Sequence, residues 1–140
     1  MIDVAVKGII VSDEKILLLK RSSKEDCFPA LWDIPGGKIA FGEDLNRALK
    51  REIKEESDID AEVIIPFSTW SFFRNENTYV VGITFLCKLK NDKIQINLSK
   101  EHEQFIWASK DDLDKLNMNE NLKNNLKEFF ETKFYQKFQL

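Results

Sequence analysis

"DLNRALKREIKEESDI", residues 44–59, is the stretch on which the fold reading turns. Leu45, Ala48, Leu49 and Ile53 recur at helical spacing behind Asp44, a suitable N-cap, so residues 44–57 are expected to form an amphipathic helix. The same stretch carries Glu52, Glu55 and Glu56. At 3.6 residues per turn, the three fall within an arc of roughly 100° beside the apolar stripe. That geometry puts the carboxylates at the edge of the buried face, in a cleft. Like charges at this spacing repel by a few tenths of a kcal/mol per pair, and partly buried carboxylates need a counter-charge. Hard oxygen donors suit Mg²⁺ or Mn²⁺, which keep waters and take phosphate oxygens as well. The helix alone leaves a blander alternative open, a solvated face paired to Lys50, Arg51 and Lys54.

Just upstream, "WDIPGGK" (32–38) is a short extended piece broken by Pro35, Gly36 and Gly37. Glycines let backbone approach a ligand closely, and Glu43 follows six residues after Gly37, where the loop enters the helix. Further outward, "VAVKGIIV" (4–11) and "KILLLK" (15–20) read as a hairpin across the turn "SDE". Residues 61–67, 68–74 and 79–89 read as strands, with "NEN" (75–77) as a hairpin tip and Trp70 on a central strand. "KIQINL" (93–98) alternates in strand fashion, 104–108 is a short strand, and 109–116 is a capped turn or short helix. Leu122, Leu126, Phe129, Phe130 and Phe134 mark an amphipathic C-terminal helix. The expected architecture is a single α+β domain over residues 1–140: a mixed sheet with a helix on either side.

Composition narrows the function. The chain of 140 residues is 43% hydrophobic and 32% charged, in the range of a soluble globular domain. A net charge of −3 argues against gripping a nucleic acid polymer, yet allows a small phosphorylated ligand if a divalent ion supplies positive charge. No apolar run is long enough to span a membrane, and the strand-like start lacks secretory features, so a cytoplasmic location is expected. Cys27 and Cys87 stand alone and are expected to be reduced and structural. With one histidine, His102, a multi-histidine zinc site is impossible. His102 itself is expected to be exposed on a loop.

Residues 37–59, "GKIAFGEDLNRALKREIKEESDI", resemble the Nudix box, in which glycine, glutamate and an Arg-Glu-x-x-Glu-Glu core are set at fixed spacing. Gly37, Glu43, Arg51, Glu52, Ile53, Glu55, Glu56 and Ile59 all match. The approach "LWDIPGG" and the later Trp107 with nearby acids are also similar to that family. One position departs: Asp58 stands where the pattern has glycine, at a modest expected stability cost, since a left-handed residue past a helix disfavours side chains.

The resemblance implies a Nudix α/β/α sandwich and a MutT-like pyrophosphohydrolase acting on a nucleoside diphosphate linked to another group. It implies divalent-ion dependence, with Mg²⁺ expected and Mn²⁺ as substitute. Glu52, Glu55 and Glu56 would be the metal ligands, with the Gly36 carbonyl completing the shell. Arg51 would hold Glu52 through a bidentate pair, and Glu43 would support the site or close the loop on the helix. Gly37, Lys38, Arg21 and Trp70 are candidate substrate contacts. The general base is expected at Glu103 on a loop over the site, with Glu101 as the alternative and Glu52 also open. Phe28, Trp32 and Phe73 are further candidates for stacking on a base. Nucleoside triphosphates, oxidised ones included, ADP-ribose and nucleoside diphosphate sugars are the expected substrates, ahead of dinucleoside polyphosphates. The competing reading is a catalytically weak nucleotide sensor on the same fold, which would be expected to carry a DNA-binding domain that 140 residues leave no room for. An isoprenoid diphosphate isomerase would need more histidines. A monomer or homodimer is expected, the tail 133–140 being a candidate contact.

Overall fold

The computed structural model of the protein describes residues 1–25, 28–91 and 94–136. Among the described residues, seven strands and two α-helices follow in chain order: β1 (Ile2–Ser12), β2 (Lys15–Arg21), β3 (Trp32–Asp33), β4 (Gly36–Lys38), α1 (Leu45–Ser57), β5 (Ala61–Asn75), β6 (Thr78–Leu89), β7 (His102–Ala108) and α2 (Glu120–Thr132), with a short 3-10 helix at Lys110–Lys115 and another at Phe134–Gln136. The strands form one mixed sheet in the order β3-β2-β1-β6-β5, with β4 paired to β1 and β7 to β2. β1 runs parallel to β6, and the remaining pairs are antiparallel. The turn between β1 and β2 places Asp13 and Glu14 at φ 50° and 62°, the left-handed pair that matches strand twist in a two-residue hairpin.

Alternation along the strands divides the core into two layers. Val6 and Ile10 of β1 pack with Ala48, Leu49 and Ile53 of α1, together with Cys87 of β6. Ile9 and Val11 face the other way, onto Leu126, Phe129 and Phe130 of α2. The side-chain period of two in strands makes this division automatic once both faces are covered. It also gives the α/β/α layering expected from the sequence. β1 pairs with β2 only near Val11 and Ser12, so its earlier residues Ala5–Lys7 are free to pair with β4.

Four expectations need correction. Residues 94–98 are not a strand, although Ile94, Ile96 and Leu98 do point into the α1 layer; Lys93 lies outside the described residues. Their backbone instead serves the end of α1: Asn97 N–H donates to Ser57 O and Ser99 N–H to Glu56 O, carbonyls a helix terminus leaves unpaired. Residues 61–67 and 68–74 are one continuous strand, bent by register shifts near Val63, Pro66 and Phe73. That strand is at the sheet edge, so Trp70 does not sit on a central strand. Finally, Lys133 turns left-handed at φ 60° and ends α2, so Phe134 lies past the helix while still packing on its core layer.

Candidate functional site

Helix α1 begins where Asp44 accepts a hydrogen bond from Arg47 N–H, and it ends with Asp58 at φ 63°, in the left-handed region. This is the position where the box has glycine. The backbone strain there is offset: the Asp58 carboxylate accepts from Asn97 Nδ2 at 2.9 Å and pairs with Lys54 Nζ at 3.2 Å. The helix termini are therefore secured, and the acidic face between them is fixed in direction.

Arg51 organises that face. Its Nε and Nη2 donate in a fork to Glu43 at 2.8 and 2.9 Å, while Nη1 reaches Glu52 at 3.0 Å and Glu55 at 3.3 Å. The bidentate partner is thus Glu43, not Glu52 as expected. Glu43 is the acid eight residues away that the arginine fork fits, and Glu52, adjacent in sequence, presents only one oxygen. Glu43 also accepts from Ala40 N–H, and the Arg51 fork holds its carboxyl down at about 2. Glu43 faces Arg51 and is not part of the cavity lining. Its contacts close the loop onto the helix, the second of the two roles expected for it.

Glu52, Glu55 and Glu56 line a cavity of about 1120 Å³ together with Gly36, Gly37 and Lys7. The Glu52 carboxyl lies so close over Gly37 that a Cβ there would fall 2.6 Å from its Cδ, and only glycine permits that approach. Glu56 is buried and accepts from Gly36 N–H at 2.7 Å. Burial pushes its carboxyl up to about 8, against the pull of Lys7 and of the Gly36 N–H. Burial raises Glu52 as well, with Arg51 opposing. Glu55 remains largely exposed. Among the described residues, no three Asp, Glu, His or Cys side chains already converge on one point: Glu52 and Glu55 turn to Arg51, and Glu56 to the backbone.

The chemistry of this donor set nevertheless fits a divalent ion. Two desolvated carboxyl groups and a third at the rim face the cavity; beside them Lys7 is already paired to Asp33, and Arg51 is shared among three acids. Hard oxygens that are short of positive charge are what Mg²⁺ or Mn²⁺ neutralises. Glu52, Glu55 and Glu56 would hold the ion, and it would supply charge for phosphoryl oxygens and an acidified water.

Several residues at this end were invisible to sequence reasoning. Lys7 donates to Asp33 Oδ2 at 3.1 Å. Burial works against its charge, but Asp33 and Glu56 hold it above its ordinary value. His102 is not exposed: it opens β7, is 7% exposed, and places Nε2 3.5 Å from Glu56 Oε2. Burial, helped by Arg21 and Lys7, pushes the imidazole down to about 4, so it is neutral near pH 7. Among the described residues, its Nδ1 is buried without a hydrogen-bond partner. The His102 side chain is buried because Ser99 O accepts from its N–H, turning the chain sharply into β7. A lone histidine between two glutamates gave no signal of that turn.

The same turn separates the two candidate bases. Glu103 lies within β7, not on a loop over the site, and pairs with Lys20 at 3.6 Å outside the cavity lining. Glu101 lines the cavity, and its charge is felt by Glu52. Its backbone oxygen accepts from Ser22 N–H at 2.8 Å, tying it to the end of β2. Arg21 and Lys38 also line the cavity.

Away from the glutamates, the cavity is floored by aromatic rings. Trp70 lies flat across β6, where a Cβ on Gly82 would fall 2.2 Å from the ring, and its Nε1–H donates to Thr84 Oγ1 at 2.9 Å. Phe72 stacks on it at 6.0 Å, and Phe28 meets Phe72 edge-on at 6.3 Å. Trp32 and Phe73 line the same space. One wall comes from α2, whose Asn121, Asn124, Asn125 and Glu128 recur at helical spacing along the cavity. Ser68 Oγ donates to Asn125 Oδ1 at 2.9 Å. Of the two cysteines, Cys87 is a buried free thiol, pushed up to about 12 by burial; Cys27 lies outside the described residues.

A cavity large enough for a nucleotide, acidic at one end and aromatic in the middle, is the arrangement of an enzyme that works on phosphate anhydrides. Comparison with known proteins identifies the kind. The NUDIX domain family model matches residues 1–131, and the chain belongs to the Nudix family. It is a hydrolase acting on phosphorus-containing anhydrides, a pyrophosphohydrolase in general terms. Nudix hydrolases generally use divalent metal ions. Among curated proteins, the chain is similar to nucleoside triphosphatase NudI of Escherichia coli O17:K52:H18 (strain UMN026 / ExPEC), 29% identical over 116 residues that cover 75% of this chain and 80% of that one. Its fold is similar to that of a MutT protein from Methanosarcina mazei Go1, at a TM-score of 0.79 and 24% identity over 94% of each chain. It is also similar to a C. elegans Ap4A hydrolase solved as a binary complex, at a TM-score of 0.78 and 25% identity over 97% of this chain and 99% of that one. No helix among the described residues is long and apolar enough to cross a membrane.

Proposed function

We propose that this chain is a Mg²⁺-dependent nucleoside triphosphate pyrophosphohydrolase, with residues 1–140 as one catalytic domain. The observation that carries the reading is that one cavity is lined both by Glu52, Glu55 and Glu56 and by the Trp70–Phe72 pair. The diphosphate lies at the glutamates and the nucleoside on the rings, with the asparagines of α2 facing the base edge. Asparagine amides offer paired donors and acceptors to base edges, and ring stacking is worth about 1–3 kcal/mol per base. The likeness to nucleoside triphosphatase NudI supports a triphosphate substrate over ADP-ribose or a nucleoside diphosphate sugar.

Roles follow from position. Glu52, Glu55 and Glu56 hold the ion, and Arg51 positions Glu52 and Glu55 rather than touching substrate. Glu101, within the cavity and close enough to influence Glu52, replaces Glu103 as the candidate general base. Lys7, Arg21 and Lys38 supply positive charge toward the phosphates.

The test is a product analysis. The pure protein is incubated with Mg²⁺, with and without EDTA, against nucleoside triphosphates, 8-oxo-dGTP, ADP-ribose, nucleoside diphosphate sugars and dinucleoside polyphosphates. A nucleoside monophosphate and pyrophosphate, formed from a triphosphate only with metal, are the expected products. Turnover confined to ADP-ribose or a sugar nucleotide would change the substrate class. Silence across the panel, with nucleotide bound tightly without metal, would favour a sensor.

A further inference from the structure

Of the three acids on α1, Glu56 is the one that Arg51 does not bond. Glu52 and Glu55 turn to the guanidinium, whereas Glu56 Oε1 accepts from Gly36 N–H at 2.7 Å. Its other oxygen, Oε2, faces the chain's one imidazole, with His102 Nε2 3.5 Å away. Both side chains are withdrawn from solvent, at 3% exposure for His102 and 7% for Glu56.

Backbone bonds fix the turn that carries the ring. Ser99 N–H donates to Glu56 O itself at 3.1 Å, His102 N–H to Ser99 O at 3.1 Å, and Ser22 N–H to Glu101 O at 2.8 Å. His102 then pairs with Arg21 where β7 meets β2. The backbone of Glu56 and the ring beside its carboxyl therefore belong to one bonded unit.

Packing alone does not call for an imidazole here. Among the described residues, Nδ1 is buried without a hydrogen-bond partner. A polar atom left in that state costs stability that an apolar side chain of similar size would not. What the imidazole has and a leucine lacks is a nitrogen turned to the carboxyl. The proton of a neutral imidazole settles where the other ring nitrogen's bonding allows; beside a carboxylate that place is Nε2, and Nδ1 is left as the bare nitrogen.

We propose that His102 is a positioning residue for the ion site: its Nε2–H donates to Glu56 Oε2, so that Gly36 and His102 together hold both oxygens and set the direction in which Glu56 meets a divalent ion. This inference rests on the metal-dependent reading above and adds a residue outside α1 and outside the cavity lining. His102 neither touches substrate nor serves as the base. A contact of 3.5 Å is longer than a formed N–H···O bond of about 2.9 Å. A carboxylate on a metal is ionised, and bonds to an ionised acceptor are shorter and stronger. Losing such a partner of a metal-bound carboxylate lowers metal affinity by about 10–100-fold.

The test is two substitutions and one spectrum. His102→Gln keeps a side-chain N–H of similar reach, and His102→Leu fills the space without a donor. Isothermal titration with Mn²⁺ is expected to show His102→Leu binding about 10–100-fold more weakly than wild type, and His102→Gln most of the way back to it. The metal-free melting temperature of His102→Leu should hold or rise. A ring kept for packing would instead make His102→Gln, with its buried amide, the poorer protein in both assays. Because the chain has one histidine, nitrogen-15 NMR of the Mg²⁺-saturated wild type reads its tautomer directly, with the proton expected on Nε2. A proton on Nδ1 overturns the proposal. So does Mn²⁺ affinity in folded His102→Leu equal to wild type, or an equal loss in the two folded variants. Should neither variant fold, the tautomer decides alone. Wild type that binds Mn²⁺ while His102→Leu binds it equally well leaves the metal-dependent reading standing. Wild type that binds no Mn²⁺ overturns both.

Discussion

Helices α1 and α2 are both 13 residues long, flank one sheet, and each presents one apolar stripe to the core and one polar stripe to the same cavity. They differ in how the polar stripe is held. On α1 the acids are locked: Arg51 grips Glu43, Glu52 and Glu55, and Gly36 N–H grips Glu56. On α2 the polar side chains are loose: Asn121, Asn124 and Glu128 are exposed, while Asn125 is fixed through Ser68. A site that does chemistry must hold its charges to fractions of an ångström. A surface that tells one base from another can rely on adaptable amides and stacking. The two helices divide these tasks between them.

The largest expected effect is at the buried end of the locked stripe. Glu56→Gln keeps the shape and the Gly36 contact but removes the carboxyl that would ionise onto a bound ion, and kcat should fall by about 10²–10³ or more. The melting temperature should hold or rise, because a buried ionisable group is replaced by a neutral amide of the same shape. Steady-state kinetics and a thermal melt check both. Full activity in a folded variant would break the division between the helices.

Next comes the arginine that does the locking. Arg51→Lys keeps the charge but loses the fork, so Glu43, Glu52 and Glu55 are no longer held together. Activity should fall about tenfold and the melting temperature by about 3 °C, read in the same two assays. A variant that loses stability but keeps kcat would show that the grip on Glu52 does not matter for turnover.

On the loose stripe the effect should be smaller and of a different kind. Asn124→Ala should raise KM about threefold to tenfold for the preferred nucleotide and leave kcat nearly unchanged, consistent with loss of one neutral hydrogen bond. Competition between nucleotides checks whether the order of preference shifts. A drop in kcat equal to that of Arg51→Lys would erase the contrast.

The smallest effect is expected at Asp58. Restoring the box residue in Asp58→Gly relieves left-handed strain but removes the contacts to Asn97 and Lys54, and the melting temperature should move by less than about 2 °C. A large gain would mean the side-chain contacts offset little.

What was legible in the sequence tracks the same contrast. α1 carries its function in local spacing, since Arg51, Glu52, Glu55 and Glu56 lie within two turns and Gly37 and Glu43 sit at fixed distances before them. Helical periodicity and strand alternation likewise gave both layers of the core. α2 was legible as a helix from Leu122, Leu126 and Phe129, but its asparagines look like any solvated face until Ser68 and Trp70 are brought opposite them. Lys7 and Asp33 were hidden for the same reason: each is one residue on a strand, and only the pairing of β1 with β2 and of β2 with β3 makes them neighbours. Residues 94–98 misled because alternation reports which side chains are buried, not which backbone they bond. Glu103 misled because one sharp turn at Ser99–His102 places Glu101 in the cavity and Glu103 beside Lys20.

The most direct measurement is Mn²⁺ binding to the wild-type protein and to Glu56→Gln, followed by isothermal titration and by electron paramagnetic resonance of the free ion. If the carboxylates of α1 tolerate one another because a divalent ion joins them, wild type binds Mn²⁺ and Glu56→Gln binds it at least tenfold more weakly while remaining folded. Equal affinity in the two proteins would contradict this, and would leave the acidic face of α1 as a structural feature held together by Arg51 alone.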